Sequence, residues 1–232
     1  MDFKFTKEEA EEIVNWTLSG LTMYYRDSEL PTEIISKYEV GQIFRSQTFV
    51  DVSSFAGQLT KNCRFIFAST KAAPLFQVNP STEKWGLHTI NANSYFKVLD
   101  IYKKDGRIQF FLLHIPAKGI DFFRNTVLRL GGNNFEEQII EKSRISLDQK
   151  MQMSIIPALE EKEWIDRTDF PIGLNNENEF FPLHPTEQLF VMAQPMSDAI
   201  FKMSKDTELN LVAIVKDTKD KQSGGFWKRL FG

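Results

Sequence analysis

The stretch Tyr95-Phe96-Lys97-Val98-Leu99-Asp100-Ile101-Tyr102-Lys103-Lys104-Asp105-Gly106-Arg107-Ile108-Gln109-Phe110-Phe111-Leu112-Leu113-His114-Ile115 decides the fold. Two apolar runs flank Lys104-Asp105-Gly106, and Asp-Gly is a favoured two-residue hairpin turn. With Asp105 and Gly106 as the loop, Lys104 pairs with Arg107. Counting outward sets Ile101 opposite Phe110 and Leu99 opposite Leu112 on one face. Val98 then faces Leu113 and Phe96 faces Ile115 on the other, while His114 sits opposite Lys97. The base of the hairpin is apolar on both sides, which predicts strands covered on both faces.

Upstream, Thr6 with Glu9 three residues on forms a capping-box pattern. Ala10, Ile13, Val14, Leu18 and Leu21 follow at helical spacing. The Glu8, Glu9, Glu11 and Glu12 run suits the helix dipole and needs no chemical role. A short helix is expected over 31–38, opened by Pro31. Residues 39–62, broken by Gly41, Gly57 and serines, match neither period. Cys63-Arg64-Phe65-Ile66-Phe67-Ala68 reads as a strand, and 85–90 as another.

Downstream, Asp121 is placed to cap a helix over 122–130 that stops at Gly131-Gly132. Asn134 and Glu137 repeat the capping pattern for a helix over 135–143. From Ile145 the period changes to two through Leu147, Met151, Met153 and Ile155, which predicts a half-buried strand interrupted at Gln149. A long irregular connection is expected at about 157–187, with a short helix over 159–165 as the element most easily overlooked. A strand over 189–193, a helix opened by Pro195 with Met196, Ala199, Ile200 and Met203 on one face, and a strand over 209–215 complete the chain. Mixed elements without strict alternation favour an α+β class: a mixed, mostly antiparallel sheet with helices packed on it. Residues 1–216 read as one domain, with a weak subdivision near 131–134. Residues 217–232 read as a charged linker and an amphipathic tail.

The composition is that of a globular protein, with 42% hydrophobic and 25% charged residues among 232. A net charge of −3 without clustered cations argues against nucleic-acid binding. No apolar run approaches the ~18 residues of a membrane span. The first residues lack the pattern of a signal peptide, and one cysteine fits a reducing compartment, so a cytoplasmic location is expected.

No motif carries recognisable chemistry. Cys63 reads as a small buried hydrophobe rather than a nucleophile. Gly-x-Ser-x-Gly, HExxH and a GK[ST] phosphate loop are absent, and Gly131-Gly132 reads as a turn. The acidic run Glu160, Glu161, Glu163, Asp166 and Asp169 reads as a solvated face around Trp164. No cofactor or metal is expected. A hydrolase, metal-dependent or not, assembled from His88, His114, His184 and dispersed acids stays open. So does a small-ligand binder with a cavity lined by Phe65, Phe67, Phe110 and Phe111.

Residues 224–232, Gly-Gly-Phe-Trp-Lys-Arg-Leu-Phe-Gly, carry the strongest functional pattern. On a helix, Phe226, Trp227, Leu230 and Phe231 share one arc, with Lys228 and Arg229 outside it. So short a segment holds no helix alone in water. It needs a groove on its own domain or on a partner protein, and two cations make only a weak membrane contact. The expectation is a non-catalytic protein acting by protein–protein interaction, with this tail docking on an unidentified partner.

Overall fold

The computed structural model describes residues 5–125, 129–130, 133–185 and 191–204. Helix α1 (Lys7–Leu18) begins at the expected box: the Thr6 hydroxyl accepts from the Glu9 N–H, and the Glu9 carboxylate accepts from the Thr6 N–H. Strand β1 (Thr22–Ser28) follows. Its inward residues are Tyr24, Arg26 and Ser28, so the hydrophobic pattern alone does not announce it. Helix α2 (Thr32–Ile35) is a single turn, shorter than expected, with Pro31 just before it. The unassigned stretch 39–62 contains two short strands, β2 (Ile43–Ser46) and β3 (Val50–Ser53). Then come β4 (Cys63–Ser69), β5 (Ala72–Pro74), β6 (Leu87–Ile90), β7 (Ser94–Lys104) and β8 (Arg107–Ile115).

These eight strands form one sheet in the order β2-β7-β8-β4-β1-β3-β6-β5. Only β4 and β8 pair in parallel; the other pairings are antiparallel. The sheet is mixed and mostly antiparallel, as the α+β reading requires. The hairpin keeps the expected register near its turn, with Lys104 opposite Arg107 and Ile101 opposite Phe110. A bulge between Val98 and Asp100 then shifts it, so that Val98 faces Leu112, Phe96 faces His114 and Tyr95 faces Ile115. The expected Leu99–Leu112, Val98–Leu113, Phe96–Ile115 and Lys97–His114 pairs are therefore wrong by one residue. The extra residue is Leu99, and the bulge puts Val98 and Phe96 on the same face as Ile101; Asp100 keeps its expected place opposite Phe111, on the helical side, where Arg144 holds it.

Helix α3 (Ile120–Asn125) is followed by α4 (Phe135–Lys150), α5 (Lys162–Thr168) and α6 (Gln194–Met203). The N-cap of α4 is Asn134, which accepts from the Glu137 N–H as expected. The helix runs through the segment expected to be a strand. Ile139, Ser143 and Leu147 recur every four residues on its buried side, whereas Ile145 is half exposed, so the two-residue alternation was coincidental. The expected strand at 189–193 is corrected by a 3₁₀ turn at Val191–Ala193. The expected strand at 209–215 and all of 217–232 lie outside the described residues.

Both faces of the sheet are covered. On one, Ile13 and Leu18 of α1, Phe123 of α3, and Phe135 and Ile139 of α4 pack on Ile66, Phe111, Leu113 and Ile115. On the other, Phe65, Phe67, Phe110 and Leu112 pack with Tyr38, Phe44, Ile172 and Leu174. The cover on this second face comes partly from Leu30, Ile34 and Tyr38 and partly from the irregular connection expected at 157–187. Its backbone is satisfied by side chains of distant strands: Arg26 and Ser28 donate to the Thr168 carbonyl, Arg26 also to Phe170, Arg45 to Pro182, and Tyr95 to Leu183. The Tyr38 hydroxyl donates to the Ile172 carbonyl and accepts from the Ile172 N–H. Buried carbonyls without a ladder need such donors, which explains polar residues on otherwise apolar strands.

Candidate functional site

Arg64 interrupts an apolar strand, and its surroundings explain the interruption. In the β1–β4 ladder it lies directly opposite Asp27. Its Nε and Nη2 donate to the two Asp27 carboxylate oxygens at 2.6 and 2.7 Å, and Nη2 also donates to the Gly57 carbonyl at 3.0 Å. The side chain is 1% exposed, and its buried Nη1 has no hydrogen-bond partner. A buried guanidinium donor left unmatched is costly, because desolvation is not repaid.

Arg64 lines a shallow pocket with room for about one water, together with Tyr25, Asp27, Phe55, Leu159 and Trp164. Beside it the Lys150 ammonium, at the end of α4, lies 5.1 Å from the centre of the Tyr25 ring. The Arg64 guanidinium approaches the same ring at 5.9 Å. Burial, and then the neighbouring Arg64 charge, lower the Lys150 pKa. Burial raises that of Tyr25, with Arg64 and a hydrogen bond to Ser146 opposing. Two cations thus lie close to the Asp27 carboxylate.

Two loops frame the pocket and are fastened to each other. The Gln58 N–H donates to the Ser154 carbonyl at 3.3 Å, and the Thr60 hydroxyl donates to Glu160 at 2.6 Å. A Cβ at Gly57 would stand 2.5 Å from the Ser154 oxygen, so the close approach requires glycine.

The residues singled out in sequence fall elsewhere. His114 is buried, its Nδ1 2.8 Å from the Ser69 hydroxyl, with the Trp16 and Phe96 rings against it. Burial, and then Lys71 rather than the expected Lys97, lower its pKa to about 3. His88 packs on Tyr24 and Phe76 and binds the Gly86 carbonyl through Nδ1. It lies on β6, four strand positions from His114, and His184 is exposed in the connection. Among the described residues no group of three or more His, Cys, Asp or Glu could hold a metal ion. The structure does not bring His88 and His114 together.

The expected phenylalanine cavity is overturned. Phe65, Phe67 and Phe110 are fully buried in the filled core, Phe65 and Phe110 stacked at 4.9 Å, while Phe111 points to the opposite face. Cys63 is buried, with Sγ donating to the Ser28 carbonyl, and burial raises its thiol pKa. The acids around the buried Trp164 serve structure: Glu161 accepts from Lys84 and from the Trp85 indole, and Asp166 pairs with Lys162. Residues Phe226, Trp227, Lys228, Arg229, Leu230 and Phe231, and the pair Gly131-Gly132, lie outside the described residues. No described helix is long and apolar enough to cross a membrane.

No protein-family profile matches the chain, and no curated protein matches it. Among solved structures it resembles the ADP-ribosyltransferase HopU1 of Pseudomonas syringae pv. tomato DC3000, at 15% identity and a TM-score of 0.36, over 41% of this chain and 45% of that one. The Vis toxin, an ADP-ribosyltransferase from Vibrio splendidus, gives 11% and 0.34, over 43% and 51%. The Clostridium limosum C3 exoenzyme gives 10% and 0.35, over 46% and 65%. The chain therefore spans about half to two thirds of the length of these structures. This finding corrects the expectation of a non-catalytic protein working through its tail, since the proteins it resembles are enzymes by name. TM-scores this low describe a partial likeness of fold and assign no activity to this chain.

Proposed function

We propose that this chain anchors a small anionic substrate in the pocket at Arg64. The observation that carries the reading is the buried, unmatched Nη1 of an arginine that lines an open pocket. Lys150 supports it, because an anion would relieve the repulsion that two neighbouring cations impose on each other. An oxygen anion accepting from Nη1 would make the charge-assisted bond that the fold leaves open.

Isothermal titration with inorganic phosphate, acetate and NAD tests the proposal. NAD is included because the resembling structures are named ADP-ribosyltransferases, and nicotinamide release is followed in the same samples. The expected result is saturable binding of at least one of these anions, weakened about 5-fold in Lys150→Met. That variant removes a half-buried cation and keeps its stem, so it should fold. Absence of saturable binding by every anion would overturn the reading, as would binding that Lys150→Met leaves unchanged.

A further inference from the structure

Helix α6 is covered on one side only. It packs on the edge strand β5, with Ile200 fully buried and the Asn91 side chain donating to the Ser197 carbonyl at 3.1 Å. Away from that contact the helix is apolar and open. The turn Val191–Ala193 runs straight into α6, and Val191 and Met192 in it are 82% and 80% exposed. Met196 is exposed as well, as are Pro195 and Ala199. Met192, Pro195, Met196 and Ala199 stand at i, i+3, i+4 and i+7, the spacing of one helix face. Among the described residues no other stretch of this length presents three large exposed apolar side chains. Methionine is flexible at its thioether, so such a face adapts to what it receives.

Size and reach decide what covers it. A stable dimer buries ~800 Å² and ~20–30 residues on each partner, far more than these five residues supply. A short apolar segment matches them, and the chain carries one in Phe226, Trp227, Leu230 and Phe231. Between Ser204, just past α6, and Phe226 lie 21 residues. Even as a coil, a stretch of that length would span about 25 Å, against about 15 Å for the ten residues of α6. The whole face is therefore within reach. A contact made on so short a tether competes with effective concentrations of about millimolar, which suits a segment too small to bind tightly by itself. We infer that Phe226, Trp227, Leu230 and Phe231 seat on Met192, Pro195, Met196 and Ala199 of the same chain. The contact is independent of the Arg64 pocket and requires no second protein.

Methyl carbon-13 NMR of the full chain labelled at methionine tests it, with Met192 and Met196 assigned through their leucine variants. The reference is a chain of the same length carrying F226S, W227S, L230S and F231S. Aromatic rings seated on a methionine move its methyl resonance upfield. Met192 and Met196 should therefore lie upfield in the wild type relative to the reference, by an amount that stays constant over about a tenfold range of protein concentration. Met23, packed in the core on the other side of the molecule's sheet from solvent, should not move and reports that both chains are folded. Met196→Lys should release the segment and return Met192 to its position in the reference. Identical Met192 and Met196 resonances in the two chains would overturn the contact, as would a Met192 resonance that Met196→Lys leaves unchanged. A displacement that grows with concentration would give the face to a second copy. Movement of Met153, exposed in the turn after α4, in place of Met192 and Met196 would put the segment elsewhere and overturn the assignment to α6.

Discussion

Arg64 and Asp27 face each other across the antiparallel β1–β4 pair, joined by two hydrogen bonds of 2.6 and 2.7 Å, and this pairing consumes two of the three guanidinium nitrogens. Asp27 pairs with Arg64 in the interior without saturating its donors. In Asp27→Asn the arginine would remain buried with no counter-charge. The expected loss is about 3 kcal/mol of unfolding free energy, the low end for a broken buried pair because Asp27 is partly exposed. Urea denaturation at pH 7 checks it. A loss under about 1 kcal/mol would show that solvent already screens the pair.

Gly57→Ala tests the fastening of the two pocket loops. The added Cβ meets the Ser154 carbonyl and the Ile156 side chain, so residues 154–156 must move. Overpacking of this kind costs about 1–3 kcal/mol. The melting temperature should fall, and amide exchange should rise at Gln58, whose N–H donates to the Ser154 carbonyl. Unchanged exchange at Gln58 would contradict the fastening.

His114 gives the fold an acid limit. Its folded-state pKa is lowered to about 3, below the unfolded value near 6.5, so protonation favours the unfolded chain. The stability it contributes is complete above about pH 6.5 and is lost as the pH falls toward 3, at up to about 1.4 kcal/mol per pH unit. His88 shifts in the same direction. His114→Asn should flatten the fall in urea stability between pH 6.5 and 4. A slope equal to the wild type's would show that His114 is not the group responsible.

The hairpin is tied to α4 by ion pairs: Asp100, 5% exposed, accepts from Arg144, while Lys97 meets Glu136 and Lys104 meets Asp148 on the same helix. Arg144→Met leaves the buried carboxylate unpaired and should cost about 3 kcal/mol. Asp100→Asn in that background should restore part of it, a coupling that a double-mutant cycle measures directly. Additive single effects would remove the pair from the account of how α4 is held.

Local signals were legible where chemistry and period agreed. Thr6 with Glu9, Asn134 with the Glu137 amide, and Asp105-Gly106 each specify their element through a few neighbouring atoms. The rest depended on distant partners. β1 carries Arg26 and Ser28 inward because they serve carbonyls of Thr168 and Phe170, more than 130 positions away, and no window of sequence shows that. The register beyond Val98 turned on one bulged residue, and a bulge flips the side of every residue past it. In α4 and the turn after it, apolar residues at 145, 147, 151, 153 and 155 imitated a strand, although Ile145, Met153 and Ile155 are exposed. The pocket left one trace, a charged Arg64 inside the run Cys63–Ala68. A buried charge implies a partner, but Asp27, Lys150 and the Gly57 loop come together only in the fold.

On the reading proposed here the unmatched nitrogen of Arg64 receives an anion. Nitrogen-15 NMR of the arginine guanidinium groups during titration with inorganic phosphate checks this, with Arg64 assigned through Arg64→Lys. The Arg64 Nη resonances are expected to shift and saturate with the same affinity as the calorimetric titration, while those of Arg45, bonded to the Pro182 carbonyl, stay in place. Saturable binding that leaves Arg64 unmoved, or no binding at all, would contradict it.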